Sequence, residues 1–175
     1  MNYATIKPVD IANGPGVRVS LFVSGCTHHC KGCFNAEAWD FGYGKLFDGE
    51  TQEELLGLLD HDFITGLTLL GGEPLEPENQ KGLLPFVKRV KQRFPEKSIW
   101  CYTGYDFEKD VLEWMIPRLG ITRELMDLID VLVDGKFVEE KKNISLRFRG
   151  SENQRILSVR QSMEEKRAVW CEEFR

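Results

Sequence analysis

Apolar positions in this chain cluster in short runs separated by longer stretches of helical period. The first run, Val17-Arg18-Val19-Ser20-Leu21-Phe22-Val23, alternates and then turns wholly apolar. Leu67–Leu70, Ile99–Tyr102 and Val131–Val133 are shorter apolar runs, and Arg155–Val159 is a weaker fifth. Short apolar runs bounded by glycine suit strands buried in a parallel sheet. Between them, Thr51 and Glu54 have capping-box spacing ahead of Leu55, Leu58 and Leu59 on one helix face. Leu83, Val87, Val90 and Phe94 keep a helical period, with Pro85 assigned to the first turn, where a missing N–H is tolerated. Phe107, Val111, Trp114 and Met115 form a third stripe, ended by Pro117. The order β-α-β-α-β-α-β predicts right-handed crossovers and a parallel sheet.

Length limits the architecture. The chain has 175 residues, and a complete eight-unit β/α barrel usually needs about 250. The expected fold class is therefore α/β, a partial (β/α) barrel of about five to six parallel-strand units, open on one side. Residues 1–159 form its core domain and 160–175 a charged, exposed helical tail, in which Trp170 and Cys171 have no assigned role. The 23 Lys and Arg against 28 Asp and Glu give a net charge of -5, which argues against broad nucleic-acid binding. No apolar run approaches the ~20 residues of a membrane helix, and Met1–Thr5 lack the regions of a signal peptide. The expectation is a soluble cytoplasmic protein with no membrane partner.

The candidate chemistry falls at the carboxyl ends of the strands, where such sheets gather ligands. Ser24-Gly25-Cys26 follows the first strand, Gly71-Gly72-Glu73-Pro74 the second, Thr103-Gly104 the third and Asp134-Gly135 the fourth. Of the five cysteines, Cys26, Cys30 and Cys33 fall in one C-x3-C-x2-C loop. An odd count without a signal peptide is a poor disulfide framework. Three soft thiolates can wrap an iron–sulfur cluster, zinc or copper(I). Structural zinc wants a fourth ligand, which His28 or His29 could supply. Zinc sites more often use two separated C-x2-C pairs, and no second pair exists, so the spacing favours a cluster. A [4Fe-4S] cluster held by three cysteines leaves one iron open.

C-x3-C-x2-C after the first strand, with Gly-Gly-Glu-Pro after the second, resembles the radical S-adenosylmethionine (SAM) superfamily. The resemblance implies one [4Fe-4S] cluster on Cys26, Cys30 and Cys33, with SAM chelating the open iron. Gly71, Gly72, Glu73 and Pro74 would hold the methionine end, the glycines allowing close backbone approach and Glu73 accepting from the ammonium. Many members carry an aromatic residue just before the third cysteine. Here that place is Gly32 and the aromatic follows as Phe34, so Phe34 or the Gly32 backbone would line the adenine. Thr103 and Asp134 are candidates for ribose or carboxylate contacts, with turn or cap roles as the competing reading.

Further segments narrow the resemblance. Asn13-Gly14-Pro15-Gly16-Val17-Arg18 is similar to the Gly-Pro-Gly-x-Arg lead-in of glycyl-radical activating enzymes. Val131–Phe137, Arg147–Arg155 and Trp100–Tyr105 resemble segments of the activating enzymes of anaerobic (class III) ribonucleotide reductase, a subgroup that shares the Gly32 departure. This implies that a flavodoxin- or ferredoxin-like donor reduces the cluster, that SAM is cleaved to a 5′-deoxyadenosyl radical, and that the radical takes hydrogen from a glycine of the reductase large subunit. No residue is expected to act as a general base. Two alternatives stand beside this reading. One is a radical SAM enzyme acting on a small molecule, like 7-carboxy-7-deazaguanine synthase; the other is a non-enzymatic zinc-binding module. His28 and His29 are expected on the cysteine loop without ligating, His61 at a helix end and Cys101 inert in the core. Lys88, Arg89, Lys91 and Arg93 are expected on a solvated basic face.

Overall fold

Strands form where the apolar runs lie, and further strands extend the sheet. The computed structural model describes residues 1–175. Its strands are β1 (Asn2–Asp10), β2 (Val17–Val23), β3 (Lys45–Leu46), β4 (Ile64–Gly71), β5 (Ser98–Tyr102), β6 (Val131–Asp134) and β7 (Arg155–Ser158). They form one seven-stranded sheet in the order β3-β1-β2-β4-β5-β6-β7. β2, β4, β5 and β6 pair in parallel. β1 runs antiparallel to β2 and β3, and β7 antiparallel to β6.

The expected count of about five to six parallel units is thus corrected to four parallel strands with antiparallel edges. The reason is the connection from β6 to β7. It holds only the helical turn Glu139–Lys141, too short for a crossover, so Arg155–Ser158 returns beside β6 in the opposite sense. β1 has no clean alternation, because Lys7, Pro8 and Asp10 interrupt it. β3 pairs only with its first residues, Asn2 and Tyr3, so Pro8 lies on a free edge, where a missing donor is tolerated.

Three helix assignments also shift. Helix α1 spans Gly49–Leu59 and is capped by Asp48, whose carboxylate accepts from the Thr51 N–H at 2.9 Å. The capping pair is therefore Asp48 with Thr51, not Thr51 with Glu54. Helix α2 spans Pro77–Arg93, with Pro77 in the first turn and Pro85 in the interior. Pro85 cannot donate to the Lys81 carbonyl, and both residues are exposed, so water can take that place. The third stripe winds as a π-helix over Phe107–Met115. Its wider turn aligns Phe107, Val111 and Met115, all buried, and leaves Trp114 46% exposed and off the stripe. The short α3 (Ile116–Arg118) and α4 (Gly120–Leu128) follow, so Pro117 does not stop helical structure.

Alternation along the strands separates two faces. Val19, Leu21, Val23, Leu67, Leu69, Ile99, Cys101, Leu132 and Leu157 join the buried residues of α1, α2, α4 and the π-helix in one core. The other face presents Arg18, Ser20, Thr68, Leu70, Trp100, Tyr102, Val133 and Ile156. Part of it is covered by the chain's last residues. After α5 (Val159–Glu165), Lys166 turns in the left-handed region and Trp170 pairs with Leu157 of β7. Phe174 and Phe148 then pack edge-on against Trp100 at ring separations of 5.3 and 5.6 Å. Only the α5 portion of 160–175 is regular α-helix, and Trp170 lies against the sheet. No helix is long and apolar enough to cross a membrane.

Candidate metal centre

The cysteine loop leaves β2 with both limbs fastened by backbone hydrogen bonds. The Gly25 N–H donates to the Ala38 carbonyl at 2.8 Å and the Cys26 N–H to that of Trp39 at 3.1 Å. Gly25 has φ +97°, and a Cβ there would come within 2.3 Å of the Phe41 ring, so no larger residue fits. Glu76, just before α2, and Asn79 in its first turn hold the loop. Glu76 accepts from the Thr27 N–H at 2.8 Å and hydroxyl at 2.6 Å, and the Asn79 amide donates to the Ser24 and Glu73 carbonyls at 2.9 Å.

Cys26, Cys30 and Cys33 are free thiols lining one cavity of about 220 Å³, together with Phe34, Gly71, Gly72, Glu73 and Thr103. A Cβ on Gly72 would lie 2.7 Å from the Gly25 carbonyl oxygen, and one on Gly104 would lie 2.6 Å from the His28 ring. The strand ends therefore approach the cysteine loop at glycine distance. Burial pushes the Cys26 thiol up to about 11, with Glu73 and Glu76 adding to the rise. Burial and the neighbouring Cys33 also raise Cys30. Such thiols serve as ligands once a metal displaces their protons.

Glu73 knits the cavity floor. It is 1% exposed, and each carboxylate oxygen has two partners. Oε1 accepts from the Leu75 N–H and the Thr103 hydroxyl, both at 2.8 Å. Oε2 accepts from the Gly104 N–H at 2.7 Å and meets His28 Nε2 at 2.8 Å. These four contacts fill the usual lone-pair positions of a carboxylate. In this arrangement Glu73 ties the ends of β4 and β5 to the cysteine loop.

The other candidates divide. Phe34 lines the cavity but is 74% exposed, and its ring tilts against Phe137 at 5.7 Å. Thr103 lines it with its hydroxyl given to Glu73. Gly32, with φ +74°, lies beside Glu139, and buried Pro74 does not reach the cavity wall. Asp134 is not brought there either. Its carboxylate binds Arg155, with the Nε bond at 2.9 Å, and accepts from the Phe107 N–H at 2.9 Å. Arg155 also meets Glu108 at 2.7 Å, so the acidic trio of Asp106, Glu108 and Asp134 surrounds a guanidinium. Asp134 is here the buried partner of Arg155 and of the Phe107 N–H.

His28 is buried against Tyr105, with rings 4.3 Å apart, and His29 stacks on Trp39 at 4.3 Å. The basic run is not a bare face: Lys88 meets Glu124, Arg89 meets Glu53, Lys91 meets Asp130 and Arg93 meets Asp60. Several cavity residues were not among the candidate site residues. Tyr102 and Phe137 add apolar walls, Gln154 lines the rim, and Trp39 lines the cavity with a buried Nε1 that has no partner. Tyr102, Phe137 and Gln154 lie in the segments Trp100–Tyr105, Val131–Phe137 and Arg147–Arg155; Trp39 had no signal.

The donor set fits an iron–sulfur cluster. Three soft sulfurs face one cavity, glycines border it and an orphaned indole N–H adjoins it. Cys101 is buried among the helix-facing residues and Cys171 sits in the C-terminal segment, so neither supplies a fourth sulfur.

Comparison with known proteins agrees with this donor set. Residues 12–157 match the family of the 4Fe-4S single cluster domain. The chain is 48% identical over 158 residues to an anaerobic ribonucleoside-triphosphate reductase-activating protein of Haemophilus influenzae, covering 89% of this chain and 97% of that one. Proteins of the same name from Enterobacteria phage T4 and Escherichia coli K12 are 46% and 41% identical. These matches cover 90% of this chain and 94% of the phage protein, and 91% and 100% for the Escherichia coli protein.

Proposed function

The chain belongs to the family of anaerobic ribonucleoside-triphosphate reductase-activating proteins with a 4Fe-4S single cluster domain, and from that premise we propose that it is a radical SAM oxidoreductase, the activase of an anaerobic ribonucleotide reductase. Cys26, Cys30 and Cys33 would hold one [4Fe-4S] cluster, with SAM bound at it. Together they would supply one-electron reductive cleavage of the sulfonium to methionine and a 5′-deoxyadenosyl radical, the chemistry that takes a hydrogen atom from a glycine of the reductase.

The observation that carries this reading is the meeting of three free thiols with the Gly71-Gly72-Glu73 strip across one cavity. The protein's own part is positional. Gly71 and Gly72 leave the backbone bare for the methionine end. Glu73 keeps the cysteine loop at a set distance from that backbone through His28, Thr103 and Gly104. Leu70, Tyr102 and Phe137 give apolar walls, which limit water around a reactive species. No side chain needs to act as a base, because a hydrogen atom moves without a separate proton transfer. The electron enters from a flavodoxin- or ferredoxin-like protein, and the setting is the cytoplasm.

Electron paramagnetic resonance tests the proposal. Anaerobically reconstituted protein, SAM, a reductant and an anaerobic reductase should give a glycyl-radical doublet. Cys30→Ala should give none and should lose its iron. Zinc in a colourless protein, or turnover of a pterin-like small molecule without any reductase, would overturn it.

A further inference from the structure

The cavity opens beside a surface that the fold leaves unpaired. Phe34, 74% exposed, lines the cavity, and the Lys142 ammonium lies 5.0 Å from its ring centre. Two residues beyond Lys142, Ile144 is 90% exposed. An isoleucine so bare, in the segment whose Lys142 covers an exposed phenylalanine, marks a contact surface more than a solvated loop. The segment Lys136–Arg149 is cationic in a chain whose net charge is -5, with five Lys and Arg against Glu139 and Glu140. Lys31 on the cysteine loop already meets both of those carboxylates, at 3.3 and 3.7 Å. Lys136, Lys141, Lys142 and Arg147 are exposed and have no carboxylate within salt-bridge distance. Phe137, in the same segment, forms part of the cavity wall.

We propose that Phe34 and the Lys136–Arg149 segment, with Ile144 at its tip, form the docking face for the glycine-bearing segment of the reductase, which presents an apolar side chain flanked by carboxylates. The inference rests on the proposed activity. It follows from reach: the glycine Cα must enter the cavity, so the chain carrying it must pass over the exposed part of the cavity lining, where Phe34 packs on Phe137. An electron donor has no such need, because an electron can pass through intervening protein. The unpaired cations steer an acidic partner to the mouth, and the bare apolar pair supplies the anchor.

Ile144→Asp and Lys142→Glu test this, alone and combined. Both side chains are exposed and outside the cavity lining, so iron content and SAM cleavage by dithionite without reductase should match the parent. Affinity of the reconstituted protein for purified reductase should fall at least ~10-fold in the double variant. The parent's dissociation constant should rise with salt. Unchanged reductase affinity, in a parent that does generate the glycyl radical, overturns the docking face alone. So does a loss confined to reduction by flavodoxin with reductase affinity kept, which would give the face to the electron donor. A parent that neither binds nor activates any reductase overturns the functional reading, and the docking face with it.

Discussion

Two buried charges organise the two ends of the parallel sheet, and they do so differently. Arg18, 0% exposed, lies at the start of β2, and Glu73, 1% exposed, lies beyond the end of β4. From Arg18 to the last residue of β2 is about 17 Å of strand. Arg18 donates to Thr68 Oγ1 at 2.8 Å, to Ser98 Oγ at 3.0 Å, and to the Leu67 and Ser98 carbonyls at 2.8 Å. It also lies over Trp100 at 5.7 Å. No carboxylate pairs with it. Burial pulls its guanidinium down to about 10, still charged at neutral pH. All its bonds run to β4 and β5, and Gly66 makes the room: a Cβ there would be 2.7 Å from Nη2. The bonds of Glu73 run instead to the loops beyond β2, β4 and β5. A charge bonded to strands fills space; a charge bonded to loops holds a cavity's edges in place. The Gly-Pro-Gly-x-Arg lead-in therefore serves the frame, and Glu73 ties together the loops around the cavity.

The largest effect should come from emptying the filled end. Arg18→Ala leaves the Ser98 hydroxyl and two carbonyls short of a donor and opens a void beneath Trp100. Unsatisfied groups and cavity together should cost about 3–5 kcal/mol. Urea unfolding of the cofactor-free protein measures this, and Arg18→Met, which restores volume without donors, should recover part of it. Iron bound per folded chain should not change. A loss of iron without a loss of stability would merge the two ends into one functional unit and remove the contrast.

A smaller stability effect with a larger consequence for binding is expected at the other end. Glu73→Gln keeps the shape but turns one acceptor into a donor. Whichever way the amide faces, its NH2 meets the N–H of Leu75 or of Gly104, and neither backbone donor can reverse its role. The cost should be about 1–3 kcal/mol, or several degrees in Tm for a domain of this size. The three cysteines remain, so iron is retained, while SAM affinity should fall as the strand ends drift from the cysteine loop. Calorimetry with an equilibrium SAM titration checks both. Unaltered SAM affinity would show that the Glu73 bonds serve folding alone.

The contrast also explains what could be read before the structure. Cys26, Cys30 and Cys33 share one short loop, so their nearness is written in their spacing. β2, β4, β5 and β6 were legible because buried parallel strands appear as apolar runs. Arg18 was visible as part of a motif, but its role depends on Thr68 and Ser98, 50 and 80 residues away. Trp39, Tyr102, Phe137 and Gln154 reach the cavity only through tertiary folding. β3 was invisible because two residues that pair 42 and 44 positions away, Lys45 with Tyr3 and Leu46 with Asn2, carry no local pattern. Glu73 was noticed, but the donors that fill its carboxylate come from three loops, and no spacing rule announces them.

Beside Arg18, Asp10 offers the finest test of how far the frame and the site are separate. It is 4% exposed and accepts from the Ala12 N–H at 2.8 Å, the Asn13 amide at 2.7 Å and the Ser20 hydroxyl at 2.6 Å. Burial alone would raise its pKa, but the bonds from Asn13, Ser20 and Ala12, with Lys7 nearby, leave it below the usual 3.8. A carboxyl lowered by folding stabilises the protein above its unfolded pKa and loses that contribution as pH falls through the folded value. Asp10→Asn should therefore cost about 1 kcal/mol at pH 7, and the gap to the parent should narrow as the pH drops below 3.8. Urea unfolding of both cofactor-free proteins at neutral and acid pH measures it. Equal stability at pH 7, or a gap that widens on acidification, would mean that the turn leading into Arg18 is held by its backbone, and that Asp10 adds nothing to the filled end of the sheet.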